Sequence, residues 1–259
     1  ALQIAAAGKH GLLMMGPPGS GKTMLASRMS SILPPLEQDE MLEAAVVHSV
    51  AGESVDEILS GIRPFRCPHH TVSSAGLLGG GSPIRPGEVS LAHCGVLFLD
   101  ELAEFRSSIL QGLRQPMENG FVNITRAEGN THFPANFTLV AASNPCPCGY
   151  FGDDAHECKC TDVQIAKYQG KIGGPLTDRI DMQLDVRRLP TEYVLDSGKG
   201  IDSATLRDGV MKAREFASWR KGLGKADGIK AAESRYRTVS KASPESIIDS
   251  CGLDGEGKA

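Results

Sequence analysis

Eight residues near the start of the chain, Gly16-Pro17-Pro18-Gly19-Ser20-Gly21-Lys22-Thr23, satisfy the spacing G-x-x-x-x-G-K-T. The glycines let backbone N–H groups turn inward on phosphate oxygens, and a helix leaving the loop aims its positive end at the same anion. In that arrangement Lys22 reaches the β- and γ-phosphates and Thr23 holds Mg2+. The stretch from Gly16 to Thr23 is therefore expected to bind ATP with Mg2+. Asp100-Glu101 closes the apolar run Val96-Leu97-Phe98-Leu99. An Asp at such a tip can hold Mg2+ through water, and the adjacent Glu can polarise the attacking water. Alone, the two acids would read as ordinary surface acids opening a helix; beside a phosphate loop they read as a catalytic pair. Ser143-Asn144 ends the next apolar run. Its amide could orient the same water, although alone it would be a turn residue at a strand end.

A third chemical feature is the string "NPCPCGYFGDDAHECKC", with Cys146, Cys148, Cys158 and Cys160 as two Cys-x-Cys pairs nine residues apart. Four thiolates suit a tetrahedral Zn2+ site, and a closed four-thiolate site is structural rather than catalytic because it leaves no open position. The tight pair spacing leaves three readings open: structural Zn2+, an empty reduced thiol cluster, or a disulfide or redox role. His156 could displace Cys158 as a ligand. Pro145 and Pro147 stiffen the first pair, and Tyr150 and Phe151 offer little core to order the loop without a metal. The reading for the box is a clip on a loop between the hydrolysis site and Arg179. His69-His70 is a weaker metal candidate, since adjacent strand residues face opposite ways; a structural or pore-lining role suits it better.

These groups need a scaffold that brings distant stretches to one place. Leu12–Met15 reads as a buried strand, the helix after the loop runs from about Gly21 to Leu33, and Pro34-Pro35 stops it. A second helix covers Leu36 to Gly52. The stretch from Gly76 to His93 holds five glycines and two prolines, which predicts a glycine-rich loop or irregular hairpin. Gly95–Glu101 and Phe137–Asn144 read as strands buried on both faces. Leu102, Phe105, Ile109, Leu110, Leu113 and Met117 recur at helical spacing, and Phe121–Phe133 reads as a hairpin. Strands alternating with helices predict a doubly wound parallel α/β sheet. Beyond about Leu189 the pattern is mainly helical, with Ser243-Pro244-Glu245 as a helix start. The expected organisation is an α/β domain over 1–190 and an incomplete helical lid over 191–259.

Composition argues against several classes. The chain has 259 residues, net charge −4 and 22% charged residues, so it is not coated in positive charge. One segment is basic: Arg207 to Lys241 carries ten Lys/Arg against four Asp/Glu, either a solvated helical face or a surface for an acidic partner. Trp219 and Tyr236 lie within it; packing explains them better than stacking on bases. No apolar run reaches the ~18–20 residues of a bilayer span, so no membrane partner is expected. Seven cysteines in this pattern beside a nucleotide motif suit a reducing cytoplasm. The chain does not begin with Met, so targeting upstream of Ala1 stays open.

The phosphate loop, "VLFLDE", the strand-end "SN" and "GPLTDRID" stand in the order found in AAA+ ATPases. The strings "RPFRCPHHTVSSAGLLGGGSPIRPGEVSLAHCGVLFLDELAEF" and "NPCPCG" make the chain similar to the magnesium-chelatase-related AAA+ family, in its competence-associated ComM or YifB branch, over about Ala1 to Val186. The resemblance implies an AAA+ P-loop NTPase fold, a hexameric ring and ATP-driven branch migration or helicase work on DNA. It places Arg179 as an arginine finger reaching the nucleotide of a neighbouring subunit. From the residues alone, Arg179 would more simply pair with Asp178 or Asp181. It also places an insert in the second helix at about 76–90 and the hairpin at about 121–134 before sensor 1, both pointing into a central pore. Arg85 and Arg126 then become candidate contacts to the phosphate backbone. The branch usually carries a Lon-like N-terminal domain and a sensor-2 arginine; the expectation is that this chain lacks the first and stops before the second. Two rival functions remain: the motor subunit of a magnesium or cobalt chelatase, and a nucleotide-gated zinc-binding interaction module.

Overall fold

The computed structural model describes residues 1–126, 129–172, 176–188 and 200–226, with side chains to 220. Its centre is a five-stranded parallel sheet. In chain order the strands are β1 (Leu12–Met15), β2 (Phe65–Arg66), β5 (Val96–Leu99), β8 (Thr138–Ser143) and β9 (Met182–Asp185), in spatial order β2-β5-β8-β1-β9. The three inner strands are the continuous apolar runs, because each is covered on both faces. The pleat sorts their side chains. Leu13, Leu97, Leu99, Leu139 and Ala141 enter one core with Leu102, Ile109, Leu113 and Tyr168. Leu12, Met14, Val96, Phe98, Val140 and Ala142 enter the other with Ala5, Ala26, Met29 and Val210. Helices therefore cover both faces: α1 (Leu2–Gly8), α2 (Lys22–Ile32) and the helix at Ser203–Ala226 on one, and α9 (Asp162–Ile172) with the segment after β5 on the other. The doubly wound parallel α/β expectation is met.

The helix expected from Leu102 to Met117 is instead broken into three pieces. A 3-10 turn (Leu102–Glu104) is followed by extended backbone at Phe105 and Arg106, then α7 (Ser107–Gly112) and α8 (Arg114–Asn119). Pro116 has no N–H to donate back to Gly112, so the ladder is interrupted there. The six apolar positions still pack into one core, with Met117 partly buried, because each short piece turns its own apolar side inward.

The glycine-rich stretch forms an irregular hairpin, as its composition predicts. Helix α5 (Ser74–Leu78) leads into the two-residue strands β3 (Gly79–Gly80) and β4 (Arg85–Pro86), then α6 (Glu88–Leu91). A longer hairpin pairs β6 (Phe121–Arg126) with β7 (Gly129–Pro134). The two touch: Gly79 lies against Ile124, and Gly80 lies under the Arg126 guanidinium. Arg66 ties the short edge strand down by donating to both Glu53, at 3.0 and 3.2 Å, and Glu88, at 2.6 and 2.9 Å. Of the C-terminal stretch, the helix at Ser203–Ala226 is described and Val210 is fully buried in the core; the helix start at Ser243 and Tyr236 lie outside the described residues.

Candidate nucleotide pocket and cysteine box

Parallel pairing puts the carboxyl ends of β5, β8 and β1 side by side, with Leu99 opposite Ala141 and Ser143 opposite Met15. Chemistry placed just after each strand must converge there, at the rim where open α/β sheets hold ligands. Gly16, Asp100 and Asn144 are those next residues. The Gly16 N–H donates to the Ser143 carbonyl at 3.2 Å, joining the phosphate loop to the neighbouring strand. Gly19 and Gly21 hold φ of 76° and 89°, and Gly21 caps α2.

Lys22 is 8% exposed and donates to the carbonyls of Gly16, at 2.8 Å, and Pro17, at 2.9 Å, and to Asn144 Oδ1 at 3.3 Å. Burial lowers its pKa, and the Asp100 carboxylate pulls it partly back. Thr23 donates its hydroxyl to Asp100 Oδ2 at 2.7 Å. The Glu101 N–H donates to Asp100 Oδ1 at 2.9 Å. The residues present fit a triphosphate with Mg2+: Ser20 Oγ is buried in the loop without a partner, and the Thr23 hydroxyl and Asp100 carboxylate stand together beside the Lys22 ammonium. Thus Lys22, Thr23, Asp100, Glu101 and Asn144 come together as their spacing led us to expect.

Glu101 adopts φ 52° and ψ 48°, a left-handed backbone that costs a non-glycine residue about 1 kcal/mol or more. Its carboxylate lies 3.3 Å from His70 Nδ1. His70 stacks on His69, with ring centroids 4.0 Å apart, and meets the Phe105 edge. Sequence reasoning missed this contact and read the histidine pair as structural or pore-lining. No sequence signal marked it, because the strand that carries the pair to the side of β5 is only two residues long. Tyr168 on α9 lies behind the strand ends, its hydroxyl pushed up to about 12 by burial and by Glu104.

Arg179 is not in this cluster. It sits in a short 3-10 turn before β9, whose first residue pairs with Leu12, so it lies at the amino edge of the sheet while the loop lies at the carboxyl edge. It bonds Glu118 on α8, a partner that its local sequence did not suggest. Arg85 and Arg126 are both exposed, and neither is in an ion pair among the described residues.

The family profile of the magnesium chelatase subunit ChlI matches residues 1–194. The chain belongs to the magnesium chelatase ChlI family. Within it, the chain is 46% identical over 223 residues to competence protein ComM of Haemophilus influenzae, covering 86% of this chain and 43% of that protein. It is 44% identical over 216 residues to YifB of Salmonella typhimurium, at 83% and 42% coverage. A Mycobacterium tuberculosis protein is 46% identical over 222 residues, at 85% and 44% coverage. The chain thus spans less than half the length of these relatives. Among solved structures, NtrX from Brucella abortus in complex with ATP has a TM-score of 0.46 and 14% identity, covering 72% of this chain and 35% of that one, a likeness too slight to bear on function.

In this chelatase-family chain the cysteine box folds back onto the nucleotide loop. Cys146, Cys148, Cys158 and Cys160 have their sulfurs within 4.8 Å of one another. Cys146 lies 3.4 Å from Cys148 and 3.7 Å from Cys158, and Cys148 lies 3.6 Å from Cys158. No disulfide joins the four, whose sulfurs gather round one point instead of pairing off. The backbone N–H groups of Tyr150 and Lys159 lower the Cys148 thiol to about 6. His156 is engaged elsewhere, with Asp153 Oδ2 at 3.1 Å and stacked on Tyr150, so Cys158 and not His156 completes the set. No helix among the described residues is long and apolar enough to cross a membrane.

Proposed function

We propose that this chain is the Mg2+-dependent ATPase core of a ring-forming, ComM-like AAA+ motor that works on DNA in the cytoplasm. The observation that carries the reading is the convergence of Lys22, Thr23, Asp100, Glu101 and Asn144 at the ends of three adjacent strands. Mg2+ held there would supply positive charge against the negative phosphate oxygens. Lys22 would give up two backbone carbonyls to meet phosphate, Thr23 and Asp100 would hold the cation, and Glu101 would take the proton of the attacking water while Asn144 orients it. Arg179 faces the opposite edge of the sheet, about 13 Å or more from its own loop along a four-residue strand, which suits a finger offered to a neighbour in a hexamer.

Arg85 and Arg126 meet the needs of a sequence-independent hold on the DNA backbone, because they stand exposed at the tips of two touching hairpins. The relation to competence protein ComM supports DNA as the partner. The Cys box is read as taking structural Zn2+. The family description favours one second reading, the motor of a chelatase. The test is ATPase rate against protein concentration, using a chain of the relatives' length, with and without branched DNA. A cooperative rise with concentration and stimulation by DNA are expected. Stimulation only by a tetrapyrrole-binding subunit would select the chelatase reading. In the same assay Glu101→Gln should cut turnover by about 100-fold or more while nucleotide still binds. Unchanged turnover would remove Glu101 from its role and leave an interaction module that turns over little ATP.

A further inference from the structure

We propose that the four-cysteine box is a Zn2+ clamp whose loading sets the shape of the phosphate loop, so that metal content controls nucleotide affinity. This rests on the nucleotide reading of the loop and adds its regulation. The sulfurs are already placed for the ion. Tetrahedral Zn2+ with bonds of about 2.3 Å separates its sulfurs by about 3.8 Å. The three separations given above, 3.4, 3.7 and 3.6 Å, lie close to that. The Phe151 N–H donates to Cys146 Sγ at 3.3 Å, the kind of outer contact that steadies a metal-bound thiolate.

Three contacts join the box to the nucleotide loop. Gly149, in the first cysteine turn at φ +87°, lies so close to Pro18 that a Cβ would sit 2.7 Å from the proline ring. Arg188, just past β9, donates to the Pro18 carbonyl at 2.9 Å and lies 3.8 Å from Asp153 within the box. Asn144, two residues before Cys146, accepts from Lys22. The box therefore presses on the loop from above, ties it through Arg188, and shares its catalytic lysine. With few apolar residues of its own, the box depends on the ion for rigidity. Loss of the ion frees the turn that seats Pro18, and a loop that must be ordered again at each binding event binds more weakly.

The test measures zinc by elemental analysis in the chain purified under reducing conditions. It then compares holo and chelator-stripped forms by fluorescent ADP binding and by hydrogen exchange of residues 16–23. About one Zn2+ per chain is expected, with ADP affinity at least about tenfold weaker after stripping and restored by Zn2+. Amides of the loop should exchange faster in the stripped form. Arg188→Ala should keep its Zn2+ yet weaken ADP, which separates the lever from the metal site if Cys158→Ser fails to fold. Absence of tightly held zinc overturns the proposal. So do equal affinity and equal exchange in the two forms. Zinc-dependent exchange in a chain that binds no ADP in either form would retire the nucleotide reading and keep the clamp.

Discussion

Two glycines of the phosphate loop fail for different physical reasons when given a methyl group. A Cβ on Gly16 would lie 2.1 Å from the Val186 carbonyl oxygen and 3.1 Å from Ser20 Oγ. Val186 is not free to retreat, because its own N–H is bonded to the Met15 carbonyl at 2.6 Å. Gly16→Ala must therefore part β1 from the segment beyond β9, a backbone overlap at the upper end of overpacking costs, about 3 kcal/mol. At Gly19 nothing lies within 4 Å of the new methyl, but φ is +76°. There the cost is backbone strain alone, about 1 kcal/mol, and Asn should relieve part of it. For a chain of this size the expected falls in melting temperature are about 6–12 °C for Gly16→Ala and about 2–4 °C for Gly19→Ala. Circular dichroism melts of the three proteins, with Gly19→Asn as the control, decide the matter. A Gly16→Ala protein melting within about 2 °C of the parent, or falling no further than Gly19→Ala, would refute the crowding argument.

Arg66→Ala leaves Glu53 and Glu88 facing each other without their shared cation and should cost about 2–4 kcal/mol in urea unfolding; Arg66→Lys should recover less than half, since an ammonium cannot fork to both. Phe98 is 1% exposed on an inner strand of the sheet, so Phe98→Ala should cost about 3–5 kcal/mol by the same measurement. Replacing Arg85 and Arg126 together by Ala should leave ADP affinity unchanged. The dependence of log DNA affinity on log salt should flatten by about 2.

What was legible in the sequence was whatever short-range pattern determines. The inner strands read clearly because the helices packed on both faces demand apolar side chains, as in Leu12–Met15 and Val96–Leu99. The outer strands did not. Phe65–Arg66 is too short to show a period, and Met182–Asp185 alternates between exposed and half-buried positions. The break after Glu104 was hidden because the apolar spacing survives in three short pieces. Lys22, Thr23, Asp100 and Asn144 were legible because strand-end chemistry in a parallel sheet must meet at one rim. Contacts made across the chain carried no local mark. Neither His70 beside Glu101 nor Gly149 against Pro18 leaves a signature in spacing.

Arg179 and Gly16 lie at opposite rims of one sheet, and under the proposed role of Arg179 toward a neighbour that separation would limit how copies join. A protomer that lends its guanidinium at one rim and receives one at the other makes a directional bond, with unlike faces meeting. Such head-to-tail contacts would leave one lending rim and one receiving rim unused at the two ends of any open row. Closing the row into a circle satisfies both, whereas failing to close it lets the row grow without limit.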